Sequence, residues 1–428
     1  MKMKWFFLLL VPVMLHAQQP VQHISQLFDS LKTHPHTLAD QLTMKQAIAA
    51  RNQVYGQLIP SVSGFGGYDY ASNPSPMLPL PPNDLFAMKA DPTQAQPYSK
   101  NIYKIGAIAS MPIFVMSLYS TAAMANKLYQ SAKASAQINL LKNEAILVSL
   151  NANLQYIQSL EQALDGKRKS LEKTKEFVVI EVNNGRAAGA DLLRINNALD
   201  DASVMINDLE VQKQQIIASI ASYTGLTMTQ PVPMEQVGTY QVGDMKALEP
   251  IQKKAEADRL AFHAEWQKLL PSIVAQGSYS DNFARAYNNN QSIHNDYTTV
   301  GVVVKVPILE ADQYAQIRRS HLQAKSTENE LDQTRLDLTA QAAQLQKDLM
   351  LLDGSVQLYT HSVKDKQELV EIARKSFEMA QMNMTDYLKY EDDLTLEQSN
   401  LYKSISQKWQ TLVQLAVIYG NNIEEIVK

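Results

Sequence analysis

The sequence predicts a mainly α-helical chain with a small β part, built as an internal two-fold repeat. Three observations carry this. Pro112 and Pro307, Asp191 and Asp386, and Gly225 and Gly420 are each 195 positions apart, and one offset held without a gap across all three landmarks marks a duplication. Leu150, Ile157, Leu164, Leu171 and Val178 recur at every seventh position, as do Leu331, Leu338, Leu345, Leu352 and Tyr359, with Leu345 and Leu352 again 195 beyond Leu150 and Ile157. The two copies therefore share one coiled-coil phase. Only 15 glycines in 428 residues, among abundant Ala, Leu, Gln and Lys, suit helix over loop.

In chain order, residues 1–17 carry Lys2 and Lys4, an apolar run and Leu15-His16-Ala17, the three regions of a secretory signal peptide, with an apolar run too short for a permanent anchor. The first repeat is read as 18–225. In it, 37–58 reads as a helix entering Ile59-Pro60. Strands are expected at about 61–70 and 102–112, a long helix at 113–182, a tip at 183–191 and a return helix at 192–224. The stretch 226–246, rich in Pro, Gly and Thr, reads as an equatorial linker. The second repeat, 247–428, predicts strands at about 272–282 and 297–307, a long helix at 308–378, a tip at 379–386 and a return helix at 387–420. Leu58-Ile59-Pro60-Ser61 and Leu269-Leu270-Pro271-Ser272 mark the same helix-to-strand junction, where Pro opens a strand and takes no ladder position inside it.

Each strand alternates. Val62, Gly64, Gly66 and Tyr68; Tyr103, Ile105, Ala107, Ala109 and Met111; Ile273, Ala275, Gly277 and Tyr279; and Val300, Val302, Val304 and Val306 make one apolar face, opposite a mixed face that holds Lys104, Ser110 and Lys305. That is the pattern of a strand facing lipid on one side and water on the other. The Pro-rich stretch 73–97 between the first two strands is the main length difference between the copies and reads as an exposed loop. A long helix of ~70 residues would run on the order of 100 Å. Gly166 and Gly354 fall inside the long helices without ending their pattern, at about 1 kcal/mol each. The first reversal is placed at Asn183-Asn184-Gly185, with Asp191 as N-cap of the return helix. Lys213 and Lys408 fall in the return-helix seams and read as snorkelling side chains.

Composition excludes several classes. The formal charge is −4, and −6 without Lys2 and Lys4, which gives no bulk electrostatic case for nucleic acid. The absence of Cys removes disulfides, thiolate metal sites and Cys catalysis. His34 and His36 lack a third ligand nearby in sequence, and Asp392-Asp393 and Glu424-Glu425 read as solvated helix faces. There is no phosphate loop, nucleophile elbow or zinc motif. No metal, cofactor or catalytic residue is expected.

An exported Cys-free chain with two copies of helix, Leu-X-Pro-Ser, strand, loop, strand, X-Pro-Ile, long helix, tip and return helix resembles the TolC-type outer-membrane efflux protein family. The resemblance covers nearly the whole mature chain. Its marks are Met111-Pro112-Ile113-Phe114, Val306-Pro307-Ile308-Leu309, Asn184-Gly185-Arg186 followed by Asp191-Leu192-Leu193, and Tyr223-Thr224-Gly225. It implies a homotrimer in which four transmembrane strands per chain complete a twelve-stranded barrel and the helices form a long coiled-coil barrel. The resemblance further implies a passive exit duct, not an enzyme, working with a periplasmic adaptor and an inner-membrane transporter. It points to Asn184, Gly185, Arg186, Ala380 and Gln381 as adaptor-docking tip residues, and to Asp191, Asp386 and Lys389 as a tip constriction. Helix capping is the other reading of the two acids. Pro60, Pro112, Pro271 and Pro307 mark the strand–helix junctions. The second tip departs from the pattern: Ala380 replaces glycine and resists φ > 0, and Lys389 stands one helical turn after Asp386, where the resemblance implies a second acid. A periplasmic adaptor, or a structural or adhesive coiled coil, are the alternatives, and neither explains strand pairs at corresponding positions in both copies.

Overall fold

The computed structural model describes residues 21–79 and 93–428. The expected signal peptide, and Pro81, Pro82 and Pro92 of the Pro-rich stretch, lie outside these. The chain runs α1 (Ile24–Thr33), α2 (Pro35–Gly56), β1 (Ser61–Pro76), β2 (Tyr98–Phe114), α3 (Met116–Asn183), α4 (Gly189–Thr224), α5 (Glu249–Gln267), β3 (Ser272–Arg285), β4 (Ser292–Lys305), α6 (Ala311–Glu378) and α7 (Met384–Tyr419). The long helices α3 and α6 are both 68 residues, and the return helices α4 and α7 both 36. Every end of these four helices obeys the 195-residue offset. Gly166 and Gly354 sit inside α3 and α6.

Two compact units are present. One takes in Thr43–Ala134 and Glu249–Thr334 and holds a four-stranded antiparallel sheet in the order β1-β2-β3-β4. Three of the strands run past the expected ends, because the hairpins continue pairing to Pro76↔Tyr98 and Arg285↔Ser292. β4 instead begins earlier, at Ser292, and stops at Lys305. Pro60 and Pro271 precede their strands and Pro307 follows β4, whereas Pro112 lies inside β2 at a register irregularity, where its missing N–H is tolerated.

The register places the four apolar sets on one face. Val62 pairs with Ala109 and Tyr68 with Tyr103; Tyr103 pairs with Phe283, Ala107 with Tyr279, and Ala275 with Val302. This face is open: Val300 is 87% exposed, Val302 61% and Ile105 57%. The other face carries Ser61, Ser63, Lys104, Gln276, Ser278, Ser280 and Asn282, with Lys104 ion-paired to Asp69 at 2.6 Å. Gly106 has a structural reason on this side. A Cβ there would collide with the Tyr279 carbonyl oxygen and stand 2.8 Å from the Phe65 ring, so only glycine lets that ring lie across β2. Met77, Ile102, Ala284, Ala286 and Ile293 form a small core at the hairpin end. Asn288 and Asn289 there donate to the backbone oxygens of Gln94 and Thr93.

The second unit takes in, of the described residues, 21–42, with Ser135–Leu248 and Arg335–Lys428. Its main core packs Ile24, Leu27, Phe28 and Leu31 of α1 against Leu147, Val148 and Leu154 of α3, Ile220 of α4 and Leu412, Val413 and Ala416 of α7. The expected linker is not a free tether. Val232 is buried and exchanges two hydrogen bonds with Asn151, and Glu235 and Lys428 bond each other's backbone. Glu144 on α3 is 3% exposed, and its Oε2 has no hydrogen-bond partner. Burial, then repulsion from Glu424, push its carboxyl up to about 7, with Lys32 pulling the other way. Lys32 itself pairs with Glu424 at 2.6 Å. Glu424 is therefore part of a charge cluster and not a solvated face.

The two heptad seams fare differently. Ile157, Leu164, Leu171 and Val178 are all buried, but of the α6 series only Leu345 is. In α6 a second apolar stripe is bare: Leu336, Met350, Leu351 and Leu358 are each more than two-thirds exposed.

Candidate functional site

The two helix reversals are built from one hydrogen-bonding scheme. After α3, Gly185 N–H donates to the Val182 oxygen and Arg186 N–H to the Glu181 oxygen, with Gly185 at φ 71°. After α6, Ala380 N–H donates to Phe377 and Gln381 N–H to Ser376, each 195 residues on. Both are Schellman caps, which need a left-handed residue at the position after the helix. Ala380 takes it at φ 57°, so the second tip keeps the geometry of the first despite its side chain. The strain of a left-handed L-residue is about 1 kcal/mol or slightly more.

Neither acid at the tips is an N-cap, which corrects the reading of Asp191. The caps are Ala188 and Asn383, and Asp191 and Asp386 are the third residues of α4 and α7. The helices begin earlier than expected because the turns close within five residues. Asp191 accepts from Arg194 Nη1 at 2.9 Å. Asn383 Oδ1 accepts from the Asp386 N–H at 2.9 Å, while its Nδ2 donates to the Asp386 carboxylate at 2.7 Å. First-turn carboxylates are favoured there by the helix dipole.

Asp386 and Lys389 do come together, with Arg194, Asp201, Lys167 and Asp392, around an open cavity of about 890 Å³. Asp191 is not among its lining residues. Lys167, with its side chain 9% exposed, donates to Asp392 at 2.5 Å, while the Asp392 side chain stays 68% exposed on the solvated face expected for it. The seam lysines also have partners: Lys213 pairs with Glu161 and Glu210, and Lys408 with Asp353.

Behind the turns, Leu171, Val178, Ile195, Ala373, Met384 and Tyr387 form a core in which Phe377 stacks on Tyr387 at 5.6 Å. Tyr387 is fully buried. Its hydroxyl donates to Glu391 Oε1 at 2.7 Å and stands 3.2 Å from the hydroxyls of Ser170 and Thr174. Ser170 also donates to Glu391 at 2.7 Å. Burial, then the Glu391 carboxylate, push the phenol well above its ordinary value, so it stays a donor. This network ties α3 to α7. Sequence reasoning missed it, though a signal existed: Tyr387 and Glu391 stand 195 after Leu192 and Asn196, so a phenol and a carboxylate replace a leucine and an amide in the second copy.

No family model and no curated protein matches the chain by sequence. Solved structures do match. The outer-membrane protein VceC from Vibrio cholerae superimposes with a TM-score of 0.79 at 13% identity, over 93% of this chain and 96% of its own. This chain has the TolC-like channel fold. The Campylobacter jejuni outer-membrane channel CmeC gives a TM-score of 0.76 at 13% identity over 93% and 85% of the two chains. The open-state Neisseria gonorrhoeae outer-membrane channel MtrE gives 0.74 at 13% over 93% and 89%.

Proposed function

We propose that this chain is the passive outer-membrane exit duct of a tripartite export system, conducting small molecules or secreted polypeptides from a periplasmic adaptor and inner-membrane transporter to the exterior. The observation that carries the reading is the sheet: one face is apolar and bare, the other mixed, and among the described residues no further strand pairs with the outer edges of β1 and β4. Open edges and bare Val300 or Val302 suit lipid only when a barrel closes, and four strands cannot close one alone. Three copies closing twelve strands satisfy both edges, and the uncovered α6 stripe at Leu336, Met350, Leu351 and Leu358 gives the helices a neighbouring surface to pack on.

In this reading the chain is exported through its N-terminal leader to the outer membrane, and extends into the periplasm. It performs no catalysis and binds no cofactor. Asn184, Gly185, Arg186, Ala380 and Gln381 receive the adaptor on two turns of matching geometry. Asp191, Asp386 and Lys389 lie at the constriction. With Arg194 and Lys389 beside the acids, charge selection there is weak. The test is conductance of the purified protein in planar bilayers. Discrete, long-lived steps support the duct; a protein that stays soluble without detergent and gives no steps defeats it.

A further inference from the structure

The apolar face of the sheet ends at a basic, aromatic groove that the exit-duct reading does not use. Ten residues separate Ile113 from Tyr103 on β2. At ~3.3 Å per residue and a tilt of 35–45° they rise about 25 Å, the height of the lipid-facing band of a barrel. At that level Tyr68, Tyr103 and Phe283 line up across three strands, their rings 5.1 and 5.9 Å apart. Aromatic rings in such a row belong at the boundary between lipid tails and headgroups. Immediately beyond lies an open cavity of about 720 Å³, lined by Ser99, Lys100, Asn101, Arg285, Tyr287 and Asn290 among others, with no carboxylate in its lining.

Among the described residues no carboxylate pairs with Lys100 or Arg285, and Lys100 Nζ lies 5.6 Å from the centre of the Tyr287 ring. Nearby, Lys104 pairs with Asp69, and His294 Nε2 contacts the Asp281 carboxylate on the apolar face. Arg285 is two residues beyond Phe283, so strand alternation puts it on the lipid-type face, whereas Lys100 shares the parity of Lys104 and joins the groove at the hairpin end, beside Tyr287. The hairpin ends of the strands lie here, away from the ends that feed the long helices. A fork of guanidinium donors, an ammonium and the amides of Asn101 and Asn290, set just past an aromatic belt, have the chemistry of a phosphate receptor at headgroup depth.

We propose that the groove between β2 and the β3–β4 turn seats a phosphate of an outer-leaflet lipid headgroup, held by Lys100 and Arg285 while the acyl chains lie along the apolar face. This rests on the sheet being in the outer membrane. The test uses the full chain, purified in detergent, with bisphosphorylated lipid A and its phosphate-free form as probes, read by native mass spectrometry. A Lys100→Gln, Arg285→Gln double variant is compared, and bilayer conductance checks insertion of both proteins. The expected result is a preference of about tenfold or more for the phosphorylated lipid, lost in the variant while conductance steps persist. A preference that survives in the variant, or is absent from an inserting wild type, overturns the lipid site and leaves the duct standing. Inorganic phosphate displacing the lipid at equal concentration also overturns it. A wild type that does not insert defeats both.

Discussion

Glu144→Gln is the most informative single change in the helical unit. Glu144 is 3% exposed beside Glu424 and Lys32, and its carboxyl is lifted from the ordinary 4.5 to about 7. The folded state therefore holds this proton between about pH 4.5 and 7 while the unfolded chain releases it. Stability is greatest below the unfolded value, falls as pH rises through that window, and levels off above it. A shift of this size is worth about 3 kcal/mol at most, or roughly three-hundredfold in an opening equilibrium. Glutamine keeps the shape and removes the ionisation. At pH 8 the variant is therefore more stable than the parent by up to that amount, and at pH 5 nearly equal. The assay is hydrogen exchange of the α1 amides from Leu27 to Leu31, which pack in the same core, corrected for intrinsic rates. Slower exchange in the variant at pH 8, fading by pH 5, is the predicted pattern. Equal exchange at pH 8, or a gain that does not depend on pH, refutes the argument.

Ala380→Gly relieves a left-handed alanine and should stabilise the second tip by about 1 kcal/mol; Gly185→Ala should cost a similar amount at the first, both read by exchange of the turn amides. Tyr387→Phe removes a donor to buried Glu391 and leaves Ser170 as its remaining hydroxyl partner, at about 1–3 kcal/mol; the expected outcome is faster exchange across residues 384–395 and noisier single-channel traces. Gly106→Ala places a Cβ against the Tyr279 carbonyl and Phe65, so heat-resistant folded protein should fall sharply in gel mobility assays, whereas Gly67→Ala, which meets nothing within 4 Å, should not.

The repeat was legible because duplication leaves register marks that substitution does not erase: Pro112 and Pro307, or Gly225 and Gly420, survive where the surrounding side chains have changed. Strand faces were legible because side chains alternate at period two, and the register puts Tyr68, Tyr103 and Tyr279 on one face as alternation said. Helix starts were not. Asp191 has the chemistry of a cap, but the Schellman turn before it uses up so few residues that Ala188 takes the cap position. The network of Ser170, Thr174, Tyr387 and Glu391 was hidden because its members are 213 to 221 residues apart in sequence. Only the folded pairing of α3 with α7 brings them within hydrogen-bond reach. Buried Glu144 was hidden likewise, since nothing around position 144 distinguishes it from the exposed acids of the same helix.

The central claim is that three copies of this chain close one barrel. Light scattering of the detergent-extracted species, corrected for bound detergent, tests it most directly. The account predicts a protein mass of three times the 47.9 kDa chain, less the leader of each copy. A monomer that remains in solution without detergent would contradict it, because the open edges of β1 and β4 and the bare valines of the sheet would then have no barrel to close.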